Sequence, residues 1–132
     1  RALRKEAKAY LYDWVEVPQE SLRFENMVAL HLLKAVQMWR AAGEGRVMLH
    51  YVRDKEKREV DFVLVEQGRP FCLVECKSSD DACAPALLYV QKKLQVPVAV
   101  QLVHRRNVSK RTRQNGYVQW IVSAHHWLAM LP

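Results

Sequence analysis

The chain has 132 residues, of which 50% are hydrophobic and 27% are charged, a composition that indicates one folded domain and excludes an intrinsically disordered or low-complexity protein. The 21 basic and 14 acidic residues give a net charge of +7, which permits a polyanionic partner without requiring one. No apolar run is long enough to span a bilayer and no signal peptide opens the chain, so we expect a cytoplasmic protein with no membrane partner. Because the first residue is Arg1 rather than Met, we also expect a piece of a longer protein.

Hydrophobic periodicity predicts alternating helices and strands along the chain. A short aromatic strand is predicted at residues 8–14, and a long helix follows between Pro18 and Gly43. The later predicted elements are strands at 47–52, 59–66 and 71–77, a helix capped within 79–81 and ending near 94, strands at 96–103 and 117–122, and a helix at 124–130. The order α-β-β-β-α-β, with a further strand and helix, predicts a single α/β domain over 1–132 in which helices flank a mixed sheet.

The cysteines indicate neither a disulfide framework nor a zinc site. The three cysteines are Cys72, Cys76 and Cys83, and an odd number without a secretion signal argues against a disulfide framework. The sequence has no C-x-x-C pair and no matching histidine pair near them, which argues against zinc. Two of them, Cys72 and Cys76, lie four residues apart in a predicted strand and therefore share a face. We interpret them as small buried hydrophobic residues.

Charged residues interrupt two otherwise apolar strands, where a buried charge is costly unless it is paired. Asp61 lies in the strand at 59–66, and Glu75 and Lys77 share one face of the strand at 71–77. The tight connection at 67–70 predicts a hairpin whose open end brings Asp61 and Glu75 together. Two neighbouring carboxylates suit a divalent metal, and a nearby lysine can stabilise developing charge or hold a water nucleophile. The alternative is a salt bridge on the surface of the hairpin.

Glu25 is a further candidate for this site. It lies early on the long helix, beside the apolar stripe that Val28, Ala29 and Leu32 form. The alternative is a solvated glutamate in the first turn, stabilised by the helix dipole.

A basic segment separates the last two predicted strands and is predicted to be a loop. Its candidate nucleic-acid contacts are Arg105, Arg106, Lys110, Arg111 and Arg113. The same loop could instead be solvated or face another part of a longer protein. The sequence contains no Walker phosphate loop, so we expect no nucleotide site in this chain.

The arrangement of Asp61, Glu75-Cys76-Lys77, the preceding helix with Glu25 and the following helix resembles the PD-(D/E)XK nuclease superfamily. More closely, the segments at 23–29, 51–54, 58–63 and 74–79 resemble the C-terminal domain of unknown function carried by many prokaryotic AAA+-type ATPases. This resemblance extends over roughly residues 8 to 103, and residues 8–13 resemble the strand that joins the ATPase part to that domain.

The resemblance implies a restriction-endonuclease-like core and metal-dependent hydrolysis of phosphodiester bonds. Asp61, Glu75 and the backbone carbonyl of Cys76 would bind Mg²⁺ or Mn²⁺, Lys77 would assist the attacking water, and Glu25 would support the metal shell. The second helix lacks the glutamine and tyrosine that the recombination-type exonucleases carry at a fixed spacing, and Gln91 is only a weak equivalent of that glutamine.

The partners implied are an upstream ATPase domain of the same chain, DNA or RNA, and a second copy of the chain in a homo-oligomer. The alternative function is a catalytically degenerate nuclease fold that binds nucleic acid, docks a protein or dimerises.

Overall fold

The computed structural model describes residues 3–4, 20–53, 55–56, 58–78 and 82–132, which form a mixed sheet flanked by helices. This confirms the predicted α/β class. The elements are β1 (Leu3–Arg4), α1 (Glu20–Ala41), β2 (Val47–Arg53), β3 (Glu59–Glu66), β4 (Arg69–Lys77), α2 (Pro85–Leu94), β5 (Val98–Val103), β6 (Ser109–Gln114), β7 (Tyr117–Ser123) and α3 (Ala124–Leu128). The strand predicted at 8–14 lies outside the described residues.

The strands lie in the order β1-β2-β3-β4-β5-β7-β6. Strands β2, β3 and β4 form an antiparallel meander, whereas β4, β5 and β7 run parallel to one another. Parallel strands end at the same edge of a sheet, so Lys77, Val103 and Ser123 lie side by side in register. We call this the carboxyl edge of the sheet.

The helices divide the core into two layers. Helices α1 and α3 cover one face, where Phe24 and Leu32 of α1 pack with Phe62 and Val74 of the sheet. Helix α2 covers the other face, where its Leu87 packs with Val63 and other sheet residues. Strand β4 supplies both layers, since Val74 faces one and Leu73 faces the other. The central strands are therefore buried on both faces, which explains their nearly continuous apolar sequences.

The predicted hairpin between β3 and β4 is confirmed, with a tighter turn than expected. Gln67 and Gly68 have φ values of 50° and 79°, the left-handed pair that a two-residue type I′ turn requires. Arg69 and Pro70 already belong to β4 and pair with β3. The turn fixes which residues of the two strands meet at the far end of the hairpin.

The predicted start of α2 is wrong. The helix begins at Pro85 with Ala84 at the N-cap and no side-chain cap, rather than within 79–81. Proline fits the first position because its missing N–H would have no helical partner there. The backbone before the helix is instead bonded to Gln101 of β5.

The predicted basic loop is also wrong in part, because residues 109–114 form strand β6. Asn115 and Gly116 have φ values of 53° and 84° and join β6 to β7 as a second type I′ hairpin. All residues of β6 are exposed, as expected of an edge strand whose charges discourage pairing with other chains. None of the helices in the described ranges has the length and hydropathy that crossing a bilayer requires.

Candidate functional site

The pairing of β3 and β4 ends next to the two predicted carboxylates. Phe62 and Val74 are the last registered pair before Asp61 and Glu75. On its other side, β3 shifts register against β2: His50 pairs with Val63, but Val52 pairs with Val60. Such a bulge places an extra residue in one strand and redirects its side chains, a feature common beside functional sites.

Two reciprocal hydrogen bonds then join the strands through their carboxylates. The N–H of Asp61 donates to Oε1 of Glu75 at 3.0 Å, and the N–H of Cys76 donates to Oδ2 of Asp61 at 2.9 Å. Each carboxylate is therefore fixed by a backbone donor of the opposite strand. The structure thus brings Asp61 and Glu75 together, as the hairpin predicted.

The environment of Glu75 disfavours its charged form. Only 9% of the residue is exposed. Burial, followed by the nearby charge of Asp61, raises the pKa of Glu75 to about 8, although the N–H of Asp61 and the ammonium of Lys77 act in the opposite direction. The neutral form of Glu75 is therefore favoured up to a higher pH than in an ordinary glutamate. A cation bound beside the pair would reverse this preference.

Lys77 lies at the end of β4, close to the carboxylates. Its Nζ is 4.0 Å from Oε2 of Glu75, and 39% of its side chain is exposed. Its backbone carbonyl accepts a hydrogen bond of 3.3 Å from the N–H of His104, directly after β5. Lys77 can therefore reach both the carboxylate pair and the solvent at the carboxyl edge.

The structure places Glu25 in the first turns of α1, near this site. The residue is half-buried, and its sequence neighbours Phe24 and Asn26 are buried. Its charge contributes to the raised pKa of Glu75, less than burial and Asp61 do.

The donor set fits a hard divalent cation. Asp61 and Glu75 offer carboxylate oxygens, the ligands that Mg²⁺ and Mn²⁺ prefer, rather than thiolate or imidazole. Within the described ranges, no group of three or more His, Cys, Asp or Glu side chains is arranged to hold a metal. The side chains therefore supply a two-carboxylate site, and Mg²⁺ commonly completes such a site with water and backbone oxygens.

Gln91, the weak equivalent on α2, lies away from the carboxylates. Its Nε2 donates to the carbonyl of Val118 at 2.9 Å, and its Oε1 accepts from Gln119 at 2.7 Å. Both partners are near the start of β7, opposite the carboxyl edge. Gln91 therefore joins α2 to the sheet.

Gln101 is a buried polar residue that the sequence analysis missed. It pairs in register with Glu75, its Oε1 accepts from the N–H of Ala84 at 2.8 Å, and its Nε2 donates to the carbonyl of Ala82 at 2.9 Å. It therefore holds the backbone that leads from the site into α2. A lone amide in the apolar strand 98–103 is a signal that could have identified it.

The structure separates the predicted basic residues into two groups. Arg105 and Arg106 lie in the loop after β5, beside the carboxyl edge, whereas Lys110, Arg111 and Arg113 lie on β6. The guanidinium of Arg111 lies 4.2 Å from the ring centre of Trp120 on β7, within range of a cation–π interaction.

All three cysteines, which lie within the described residues, are free thiols. The interpretation of Cys72 and Cys76 as buried hydrophobic residues is confirmed for Cys72, whereas Cys76 is only half-buried near the end of β4. Cys72 is buried in the apolar core, and burial raises the pKa of its thiol to about 12. Its thiol is therefore protonated and poorly nucleophilic at neutral pH.

Together these features define an α/β domain with a paired-carboxylate site at the end of a β-hairpin. Residues 22–127 match DUF4143, a domain of unknown function, and the chain belongs to this family. The matched range contains the candidate carboxylates, Lys77 and both basic groups. No curated protein matches the sequence.

Proposed function

We propose that this domain is a Mg²⁺- or Mn²⁺-dependent nuclease of the PD-(D/E)XK type that works with an ATPase. The observation that supports this most is the locked pair of Asp61 and Glu75. A structural salt bridge would not need one carboxylate buried against another, since that arrangement costs stability. Perturbed, clustered carboxylates of this kind are typical of functional sites.

Each residue of the site has a role in this proposal. Asp61 and Glu75 would hold the cation, together with the Cys76 carbonyl that the PD-(D/E)XK resemblance implies. A bound divalent cation would stabilise charge on the phosphate and lower the pKa of a water molecule. Lys77 would orient the attacking water or stabilise the developing charge, and Glu25 would accept a hydrogen bond from water in the metal shell.

The proposal predicts that Lys77→Met removes cleavage without removing the metal. We expect the wild type to cleave labelled DNA or RNA with Mn²⁺ and Lys77→Met to cleave at least about 100-fold more slowly, because one charge-stabilising group typically contributes that much. Cleavage is followed on denaturing gels, and Mn²⁺ affinity is measured by calorimetry.

Lys92→Met is the matched control, since Lys92 is an exposed lysine on α2. It should cleave at the wild-type rate. Equal rates for Lys77→Met and the wild type, or no cleavage of any of these substrates by the wild type, would contradict the nuclease proposal.

A second candidate function, nucleic-acid binding without hydrolysis, is favoured by β6. This six-residue edge strand exposes Lys110, Arg111 and Arg113, and Arg111 packs on Trp120. Alternation places Arg111 and Arg113 on one face, where both can contact the same phosphate backbone. Such binding would not depend on Asp61 or Glu75.

For this candidate, the double variant Arg111→Ala/Arg113→Ala should lower the salt dependence of duplex DNA binding. Loss of two phosphate contacts should reduce the slope of log K against log salt by about two, since each contact contributes roughly 0.9. Fluorescence anisotropy over a salt series measures the slope. Lys34→Ala/Lys92→Ala, which removes the same charge from two helices, should keep the wild-type slope; a similar drop in this control would indicate only a net-charge effect.

A further inference from the structure

A groove lies along the carboxyl edge, between the sheet, the first turns of α1 and α3. Beside Cys76 and Ser78 it forms a depression of about 200 Å³ against the first turns of α1. A second depression of about 260 Å³ lies between Arg23 and Met27. The third and largest, of about 780 Å³, lies between α1, the loop after β5 and α3. His104 lines all three depressions.

His104 presents an aromatic face to this groove. Its ring stacks on Phe24 with a centroid distance of 4.9 Å and an interplanar angle of 10°. Phe24 is buried, but 57% of the His104 side chain is exposed. One face of the imidazole is therefore covered by Phe24, and much of the ring stays exposed, with Oε2 of Glu20 at 4.0 Å from its Nδ1. The backbone N–H of His104 donates to the backbone carbonyl of Lys77, which places His104 next to a residue of the candidate site.

The largest depression combines apolar walls with positive charge. Met27, Val103 and Leu128 line it, and Arg105 and Arg106 lie at the same depression. Among the described residues that line it, none is acidic. An exposed aromatic ring, apolar walls and neighbouring arginines are the features by which proteins bind single-stranded nucleic acid, through stacking of bases and contacts to phosphates.

We propose that this groove binds a single-stranded segment of nucleic acid, with an unstacked base on His104 and the adjoining phosphates on Arg105 and Arg106. Single strands are favoured because a base in a duplex is already stacked on its neighbours and must be extruded before it can stack on His104. The inference rests on the proposed function for its choice of substrate. This inference concerns binding only, so it can be tested independently of hydrolysis.

The test measures the binding of labelled 12-nucleotide oligothymidine to the 132-residue chain by anisotropy, in EDTA to prevent metal-dependent cleavage. We expect the single strand to bind more tightly than a duplex of equal length. His104→Ala should weaken single-strand binding about tenfold, because stacking on one aromatic side chain contributes on that order. His104→Phe should restore it, since phenylalanine keeps the stacking face.

Two controls separate stacking from charge. His126→Ala removes an exposed histidine of α3 outside the groove lining and should bind like the wild type. An abasic oligomer of equal length keeps the phosphates, so it should bind weakly and equally to the wild type and to His104→Ala.

Several results would overturn the proposal: no binding of the single strand, equal binding of the abasic oligomer, tighter binding of the duplex, or equal effects of His104→Ala and His126→Ala. Failure of the nuclease proposal has a different signature. In that case the wild type shows no metal-dependent cleavage, while the binding of the single strand still depends on His104.

Discussion

Asp61→Asn is expected to abolish the binding of Mn²⁺ while leaving the fold intact. Asparagine keeps an oxygen that can accept the hydrogen bond from the N–H of Cys76, but it removes the negative charge. Glu75→Gln is the equivalent change for the bond from the N–H of Asp61. Loss of a residue that merely orients a ligand lowers metal affinity by about 10- to 100-fold, so loss of a ligand should cost at least about 100-fold.

Calorimetric titration with Mn²⁺ measures this effect at about pH 9, above the pKa of Glu75, where that carboxyl is charged. Glu66→Gln is the matched control, because Glu66 is an exposed carboxylate at the opposite end of β3. It should bind Mn²⁺ like the wild type. Unchanged affinity in Asp61→Asn, or no uptake by the wild type, would show that the pair is not a metal site.

The sequence was sufficient to predict the contact between Asp61 and Glu75. The alternation of side chains along β4 placed Glu75 and Lys77 on one face, and the turn residues Gln67 and Gly68 predicted that β3 and β4 form a hairpin. The bounds of β3, Glu59–Glu66, agree with the prediction. These features depend on residues close in sequence, where period and turn chemistry are informative.

The hydrogen bonds that fix the pair were beyond prediction. They form beyond Phe62 and Val74, the last registered pair of β3 and β4, where alternation alone does not show which backbone N–H groups face the carboxylates. The effect of Glu25 on Glu75 likewise depends on how α1 crosses the sheet. The start of α2 depends on Gln101, which is 17 residues from Ala84 in sequence. In each case the deciding contact is between distant residues.

Strand β6 was missed for a different reason. An edge strand exposed on both faces has no hydrophobic period, so the run of basic residues favoured a loop. The signal was nevertheless present, because Asn115-Gly116 is a strong indicator of a two-residue hairpin. The dipeptide is therefore more informative about this segment than its charge.

Within the proposed function, the carboxylates and the basic residues would have different roles. In that proposal the paired carboxylates would hold a small cation. Arg105 and Arg106 line the largest depression of the groove, and the basic residues of β6 lie on the edge strand of the sheet. Positive charge at these two places would favour the association of a polyanion.

Stability in the absence of metal is expected to fall as the pH rises from about 5 to about 9. The folded protein keeps the Glu75 proton up to a pKa of about 8, whereas the unfolded chain loses it near 4.5. Between these values the folded state binds more protons, so the free energy of unfolding decreases with increasing pH, by on the order of a few kcal/mol for this group. The contribution of the Glu75 proton to the free energy of unfolding is fully present below pH 4.5, and it is lost as the pH rises through the folded-state pKa of Glu75.

Glu75→Gln isolates this contribution, because the amide does not titrate and can still accept the bond from the N–H of Asp61. Urea unfolding across the pH range should therefore show the variant gaining stability relative to the wild type as the pH rises, while Glu66→Gln follows the wild type. Mn²⁺ at about 100 times its Kd should restore about 2.7 kcal/mol to the wild type at pH 9 and much less to Glu75→Gln. If the free energy of unfolding changed with pH in the same way for Glu75→Gln and the wild type, Glu75 would not be the buried carboxylate with a raised pKa on which the proposed metal site depends.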